Sequence, residues 1–222
     1  MNNFSFSHTN PKILRLGIIA GILTASLCLA ALIWILVAGM IEASYVSRVA
    51  DQVLRFHVIA NSDSPADQAL KLEVRDALIA YMADNGESFD SADEAAAFAE
   101  EHCGELAEVA ADAIRRAGQN YPVTACVTWC SFPDKTYGEL TFPAGFYRAL
   151  QVKIGAAEGQ NWWCILYPLL CFTDEGTASI PEQSQEKLRD TLDEKDYERL
   201  ENPRPQLRFK LLEWLQDIFP LQ

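Results

Sequence analysis

The sequence is poor in the residue type that most often serves as a catalytic base. It contains three histidines among 222 residues, and two of them, His57 and His102, follow the hydrophobic N-terminal segment. A hydrolase needs a nucleophile or an activated water together with a positioned base. The shortage of histidine therefore favours a binding role over a catalytic one.

Charge is absent from one long stretch near the N terminus. The residues from Leu16 to Ile41 carry no charge, and as a helix they extend about 39 Å, whereas a hydrocarbon core is about 30 Å thick. Lys12 and Arg15 precede this stretch and Glu42 follows it. We therefore predict a transmembrane or signal-anchor segment at residues 16–41.

The same flanking charges predict the orientation of the chain. Because positive charge is retained on the cytoplasmic side, residues 1–15 are predicted to be cytoplasmic, and residues 45–222 are predicted to form an exported domain. Cleavage after Ala43 is the alternative. The apolar regions of signal peptides are usually about 7 to 15 residues long, so the length of the stretch favours an uncleaved anchor.

Basic residues are scarce in the predicted exported domain. All 31 acidic residues lie at or after Glu42, whereas two of the 18 basic residues precede it, which leaves a formal charge of −15. Such a surface repels nucleic acid and anionic lipid headgroups. The acidity either keeps the domain soluble or provides a face for a basic partner.

The cysteines exclude a small disulfide-stapled scaffold, because five of the six follow the predicted span and an odd number cannot be fully paired. Cys126 and Cys130 are four residues apart in a predicted strand, about 13 Å, which disfavours a shared metal ion or a disulfide. We predict no metal and no cofactor.

Cys164 and Cys171 flank Pro168, where the chain can fold back, so they form a possible disulfide; otherwise they are two small buried side chains.

Hydrophobic periodicity predicts an α+β fold, with a mostly antiparallel sheet packed against amphipathic helices. The predicted strands cover residues 53–60, 121–130, 136–142, 147–154 and 162–172. The predicted helices cover residues 65–81, 91–117, 184–200 and 206–219, with a flexible connection at 173–186. The first of these helices has a strong start signal: Ser64 as N-cap, Pro65 at the first helical position and Asp67 at the positive end of the dipole.

Two long stretches of the domain resemble the stage II sporulation protein R family. They are LRFHVIANSDSPADQALKLEVRDAL at residues 54–78 and NWWCILYPLLCF at residues 161–172. The resemblance implies a signalling protein that is made in the forespore and exported into the space between forespore and mother cell. There it is expected to trigger a membrane-embedded aspartic protease that matures the mother cell's early sigma factor.

The candidate partner-binding residues lie in the same two stretches. Trp162 and Trp163 are neighbours in a predicted strand, so one is expected to be buried and the other exposed, and aromatic residues are enriched at interface hot spots. Helix capping explains Ser64 and Asp67 but explains Asn61 and Asp63 only partly. We therefore predict a docking patch of Asn61, Asp63, Asp67, Trp162 and Trp163, or a turn with a capping role alone.

Two other functions remain open from the residues. An exported hydrolase acting on cell-wall material could use Asp63, Asp67 and His57, with the tryptophans as a sugar platform. A structural membrane protein is the second alternative. His102 lies on an apolar helical stripe, where a satisfied core histidine is the expected interpretation.

The orientation is testable with a reporter enzyme that works only in the cytoplasm, fused after Gln222. We expect the fusion to be inactive, because residues 45–222 are predicted to leave the cytoplasm. The same reporter fused after Arg15 serves as the active control. Activity of the Gln222 fusion would show that the orientation is wrong.

Overall fold

The computed structural model describes residues 11–85, 89–168, 170 and 182–203. The chain divides into two compact units, Met1–Tyr45 and Val46–Gln222. Among the described residues, one helix is long and apolar enough to cross a membrane, Arg15–Asp51, and its apolar part is not buried in the protein. A signal sequence can also meet these criteria of length and composition, so the helix fits an anchor or a signal sequence.

The described residues form six helices and six strands. The helices are α1 (Pro11–Asp51), α2 (Pro65–Asn85), α3 (Ala92–Glu101), α4 (Cys103–Arg116), α5 (Glu182–Thr191) and α6 (Glu194–Glu201). The strands are β1 (Leu54–Ile59), β2 (Val123–Phe132), β3 (Lys135–Tyr137), β4 (Leu140–Phe142), β5 (Gly145–Ile154) and β6 (Asn161–Tyr167). The predicted α+β class and the long apolar N-terminal helix are confirmed.

The main sheet has four strands in the order β2-β5-β1-β6. β2 and β6 pair antiparallel with their neighbours, whereas the two central strands, β1 and β5, are parallel. β3 and β4 form a separate antiparallel hairpin. The prediction of a mostly antiparallel sheet is therefore correct, with one parallel pair at its centre.

The two faces of this sheet have different coverings. Residues that oppose each other across strands share a face. One row across the sheet faces helices α2, α3 and α4: Ala125, Val152, Val58 and Trp162. The adjacent row faces the opposite side: Cys126, Gln151, His57 and Trp163. On that second side the β3–β4 hairpin covers one end of the sheet, and Lys153 and Cys126 are exposed at the other.

The predicted single helix at 91–117 is two helices, α3 and α4, separated at His102. Ser91 caps α3 by accepting a hydrogen bond from the Glu94 backbone N–H. The His102 ring nitrogen Nδ1 lies 2.8 Å from the Phe98 carbonyl oxygen, so the side chain competes for an acceptor of the helix backbone. Gly104, with its low helix propensity, follows two residues after His102.

Two other predicted elements are also divided. The predicted strand at 136–142 is the β3–β4 hairpin, because Gly138 adopts φ +57°, in the left-handed region that favours glycine. The predicted helix at 184–200 is α5 and α6, separated where Asp193 takes an extended conformation. Its side chains are not all on the surface, since Leu188 and Leu200 are fully buried.

The predicted helix at 206–219 and residues 173–181 of the predicted connection lie outside the described residues.

The start of α2 follows the sequence prediction in detail. Pro65 is its first residue, and the Asp67 backbone N–H donates a 3.2 Å hydrogen bond to Ser64 Oγ. Leu70, Val74 and Leu78 then point into the core and are buried. The cap thereby fixes the end of β1 relative to the helix that covers it.

Replacing Ser64 with alanine should lower the free energy of unfolding by about 1 kcal/mol, because an amide at the helix start loses its acceptor. Urea unfolding of the full chain in detergent micelles measures the change. Ser64→Asn is the matched control, since asparagine keeps an acceptor oxygen, and it should stay close to the wild type. Equal stability of the alanine variant would mean that the cap contributes nothing.

Candidate functional site

The predicted binding residues Asn61 and Asp67 are joined to each other in the turn between β1 and α2. Asn61 Nδ2 donates to Asp67 Oδ2 at 2.9 Å, and Ser62 Oγ donates to the same oxygen at 2.5 Å. These two hydrogen bonds, Ser62 first, lower the pKa of the Asp67 carboxyl. The carboxylate is therefore held inside the turn, where Asp67 is buried.

The same turn is fastened to the β5–β6 connection almost a hundred residues later. Asn61 Oδ1 accepts from the Ala156 backbone N–H at 2.9 Å, and Asp63 Oδ1 accepts from the Gln160 N–H at 2.8 Å. The fit is close, because a Cβ on Gly155, which adopts φ +59°, would lie 2.1 Å from Asn61 Oδ1. We call residues 61–67 and 155–160 together the turn clasp. Its polar side chains form hydrogen bonds within the protein.

The two tryptophans lie on opposite faces of the sheet, and both are half-buried. Trp162 packs edge-on against Phe56, with ring centroids 5.9 Å apart, and the Arg75 guanidinium lies 4.8 Å from its ring centroid. Trp163 stacks on His57, with centroids 4.8 Å apart and planes 8° apart. The alternation is as predicted, but the division into one buried and one exposed ring is wrong, because both faces of the sheet are covered at this point.

His57 is neutral at physiological pH, and its contacts among the described residues are with Gln151 and aromatic rings rather than with the acidic residues of the turn clasp. Its Nε2 is 2.9 Å from the Gln151 side-chain amide, and burial is the main cause that lowers its pKa to about 4. Neither Asp63 nor Asp67 is among its hydrogen-bond partners in the described chain. The described structure therefore shows no hydrogen bond between the carboxylates and the base of the hydrolase alternative.

The described cysteines also have structural surroundings. Cys103, Cys126 and Cys130 are free thiols, and burial raises the pKa of Cys130, so this thiol is not activated as a nucleophile. Cys164 is buried and disulfide-bonded. Cys171 lies outside the described residues, so the pairing of these two cysteines stays a prediction. Within the described ranges, no three histidine, cysteine or acidic residues are grouped as metal ligands.

Arg55 is a prominent residue that the sequence analysis did not single out. Its side chain is fully buried beneath the β3–β4 hairpin. The guanidinium carbon lies 4.3 Å from the ring centroid of Phe132 and 4.8 Å from that of Tyr147. The rings of Phe142 and Tyr137 lie farther out, at 5.7 and 5.8 Å. Arg55 is thus enclosed by aromatic faces.

Few hydrogen bonds reach this guanidinium. Nη2 donates to the Tyr137 hydroxyl at 3.3 Å, and Nε and Nη1 have no hydrogen-bond partner among the described residues. Burial lowers the Arg55 pKa, yet an arginine side chain stays charged in proteins. Attraction to the aromatic faces is therefore the interaction that offsets desolvation. The sequence did contain one signal for this buried arginine: Arg55 alternates with apolar residues in a strand whose composition predicts burial.

Comparison with known proteins decides the family. A profile of the family described as stage II sporulation protein R matches residues 50–177. The stage II sporulation protein R of Bacillus subtilis (strain 168) is 31% identical over 186 residues, which cover 77% of this chain and 83% of the relative. The chain belongs to the stage II sporulation protein R family. No solved structure gives a significant match.

Membership in the stage II sporulation protein R family gives the chain a role in sporulation. The matched residues run from the end of α1 past β6. They include the turn clasp, both tryptophans and Arg55. The features described above thus lie in the part of the chain that identifies the family.

The turn clasp predicts a pH-dependent stability. Because the Asp67 pKa is lowered in the fold, its carboxylate stabilises the protein above the ordinary carboxyl pKa of about 3.9, and this contribution is lost as the pH falls through the folded value. Asp67→Asn should therefore be less stable than the wild type at pH 7, with the difference shrinking below about pH 4. Urea unfolding at several pH values measures it.

The Ser64→Ala variant is the control for this experiment, because it weakens the same helix start without removing a carboxyl group. Its deficit in the free energy of unfolding should stay nearly constant over the same pH range. A deficit of Asp67→Asn that is equally constant would show that the Asp67 carboxylate is not stabilised by the clasp.

Proposed function

We propose that this protein is an exported sporulation signal that activates a membrane-embedded aspartic protease by binding its external face. The protease then processes the early pro-sigma factor of the mother cell. The observation that carries the proposal is the family match over residues 50–177, together with the long apolar helix that precedes it.

The same features support the proposed location. The apolar helix α1 fits a membrane anchor or signal sequence, and its flanking charges favour transfer of the following domain out of the cytoplasm. In a sporulating cell, export from the forespore places the domain between the two membranes that separate forespore and mother cell. Its external surface can there meet the external face of the protease.

The polar chemistry of the domain supports binding rather than turnover. The two histidines of the domain interact with Gln151 and with the Phe98 carbonyl oxygen. In the described structure neither has a carboxylate hydrogen-bond partner that would orient it as a base. The described residues thus offer the hydrolase alternative no histidine–carboxylate pair.

Activation by binding requires that the ligand prefer one state of its target. The signal can shift the protease only by as much as it binds the active arrangement more tightly than the inactive one. A domain with a fixed surface suits this task. In our proposal, the turn clasp holds that surface in place. The accessible parts of the two tryptophan rings contribute to it.

Reconstitution in a bacterium that does not sporulate tests the proposal. The full chain, the protease and the pro-sigma factor are produced together, and processed sigma factor is measured by immunoblot. We expect at least tenfold more processing with the chain than without it. A protease lacking its catalytic aspartate is the control.

Equal processing in the presence and absence of the chain would contradict the proposed function. Destruction of peptidoglycan by the purified protein would instead support the hydrolase alternative.

A further inference from the structure

The edge of the main sheet formed by β2 is unusually open. β2 is ten residues long, and its sequence VTACVTWCSF contains no charged residue and no proline. Its pairing with β5 runs without a bulge from Val123 to Phe132. Natural sheets normally protect such edges with lysine, proline, bulges, short strands or a covering element. In the described part of the chain, β2 has none of these devices.

The opposite edge provides a comparison within the same sheet. β6 has seven residues, and two of its carbonyl groups accept hydrogen bonds from outside the four-stranded sheet. The Tyr137 hydroxyl donates to the Trp163 carbonyl at 3.2 Å, and the Leu170 N–H donates to the Ile165 carbonyl at 3.1 Å. β6 is thus partly covered, whereas no described element other than its ladder partner β5 forms a hydrogen bond with the β2 backbone along Val123–Phe132.

The register shows which backbone groups of β2 point outward. The Pro122 carbonyl accepts from the Gly155 N–H at 2.8 Å, so residue 122 faces β5. Because backbone direction alternates in an antiparallel pair, the even-numbered residues of β2 also bond to β5. The outward groups then belong to the odd-numbered residues: Val123, Ala125, Val127, Trp129 and Ser131.

Two exposed aromatic side chains lie beside this edge. Outside α1, the large apolar side chains that the structure shows as exposed are Trp129, at 58%, and Phe146, at 68%. Trp129 opposes Arg148, and Phe146 opposes Ser131, so the two rings are diagonal neighbours on one face. Arg148, on the same face of the sheet as both rings, forms an ion pair with Asp93. Exposed aromatic rings next to unpaired backbone are the features of a strand-addition site.

We propose that β2 is the docking edge of this signal and that an extended segment of the target protease pairs with it as a fifth strand. This proposal rests on the proposed function and adds the surface and the mode of binding. The outward groups of β2 would bond the backbone of that segment, while Trp129 and Phe146 contact its apolar side chains.

The charge of the domain indicates which kind of segment would pair with β2. The domain carries a formal charge of −15 after the apolar helix, so a second copy pairing through the same edge would bring two strongly negative domains together. A segment with apolar and basic side chains is attracted instead. We therefore assign the edge to a basic segment of the target rather than to self-association.

Amide hydrogen exchange provides a direct test of strand addition. The full chain is studied with and without the protease in phosphatidylcholine vesicles. We expect the outward N–H groups of Ala125, Val127 and Trp129 to exchange at least tenfold more slowly in the complex. The N–H groups of Cys126 and Thr128, already bonded to β5, should change little. Equal slowing with empty vesicles, or in a homodimer, would overturn the assignment to the protease.

Variants of the β2 edge, each with a matched control, test the same inference by measuring how much pro-sigma factor is processed. Ser131→Pro removes one outward N–H at an exposed position where an edge strand tolerates proline, and Ser131→Ala keeps it. Trp129→Ser combined with Phe146→Ser removes both rings, and Trp129→Phe keeps an aromatic ring at both positions. We expect at least tenfold less processing with Ser131→Pro and with the double variant, near-normal processing with the two controls, and unchanged thermal unfolding for all four.

The outcomes separate this inference from the proposed function. Normal processing by the folded edge variants, with no slowing of the outward amides, overturns the docking edge but leaves the proposed function standing. Slowed outward amides without any processing support the docking edge and overturn the proposed function. Loss of processing that accompanies unfolding, with no amide slowing in the wild-type complex, also overturns the edge.

Discussion

The structure depends on the burial of β1 between two other strands and beneath two different layers. From Leu54 to Val58 every side chain of this strand is buried. Phe56 and Val58 require an apolar cover on one face, which the helices provide. Arg55 requires a cover on the other face that is apolar and also tolerates a cation, and the aromatic residues of the hairpin and its neighbouring strands provide it.

The parallel pairing of β1 with β5 determines which elements the chain must form between these two strands. Parallel strands need a crossover connection, because a tight hairpin cannot join them. Here the crossover contains three helices, the edge strand β2 and the β3–β4 hairpin. The helices therefore cover one face and the hairpin covers the other before the chain returns as β5. The turn clasp then fixes the far end of β1 against the connection that follows β5.

Local patterns in the sequence predicted most of the elements, because their causes are local. The Ser64 cap and the period-two alternation of β2 and β5 depend on neighbouring residues alone. The divisions at His102 and Gly138 were missed, since each depends on one side chain or one glycine within a stretch whose average pattern reads as continuous. The parallel register of β1 and β5 could not be predicted, because no local pattern records it.

The candidate site was less predictable for the same reason. The sequence showed Asn61 and Asp63 as polar residues only partly explained by capping, but their partners, Ala156 and Gln160, are almost a hundred residues away. The alternation of Trp162 and Trp163 was predictable, whereas the cover on both faces was not. Arg55 was missed because a single cation in an apolar strand usually signals an exposed position, and its aromatic enclosure is assembled from four separate positions along the chain.

The internal hydrogen bonds of the turn clasp hold this end of the domain in one arrangement. In our proposal, recognition relies on features that the described fold leaves available: the backbone at the β2 edge, two aromatic rings and a large negative charge. These contribute differently: long-range charge raises the rate of encounter and is screened by salt, whereas strand pairing and ring burial act at short range and determine how long a complex lasts. In our proposal, the signal therefore finds its target quickly in the space between the two membranes, while its specificity depends on whether the target presents a compatible extended segment.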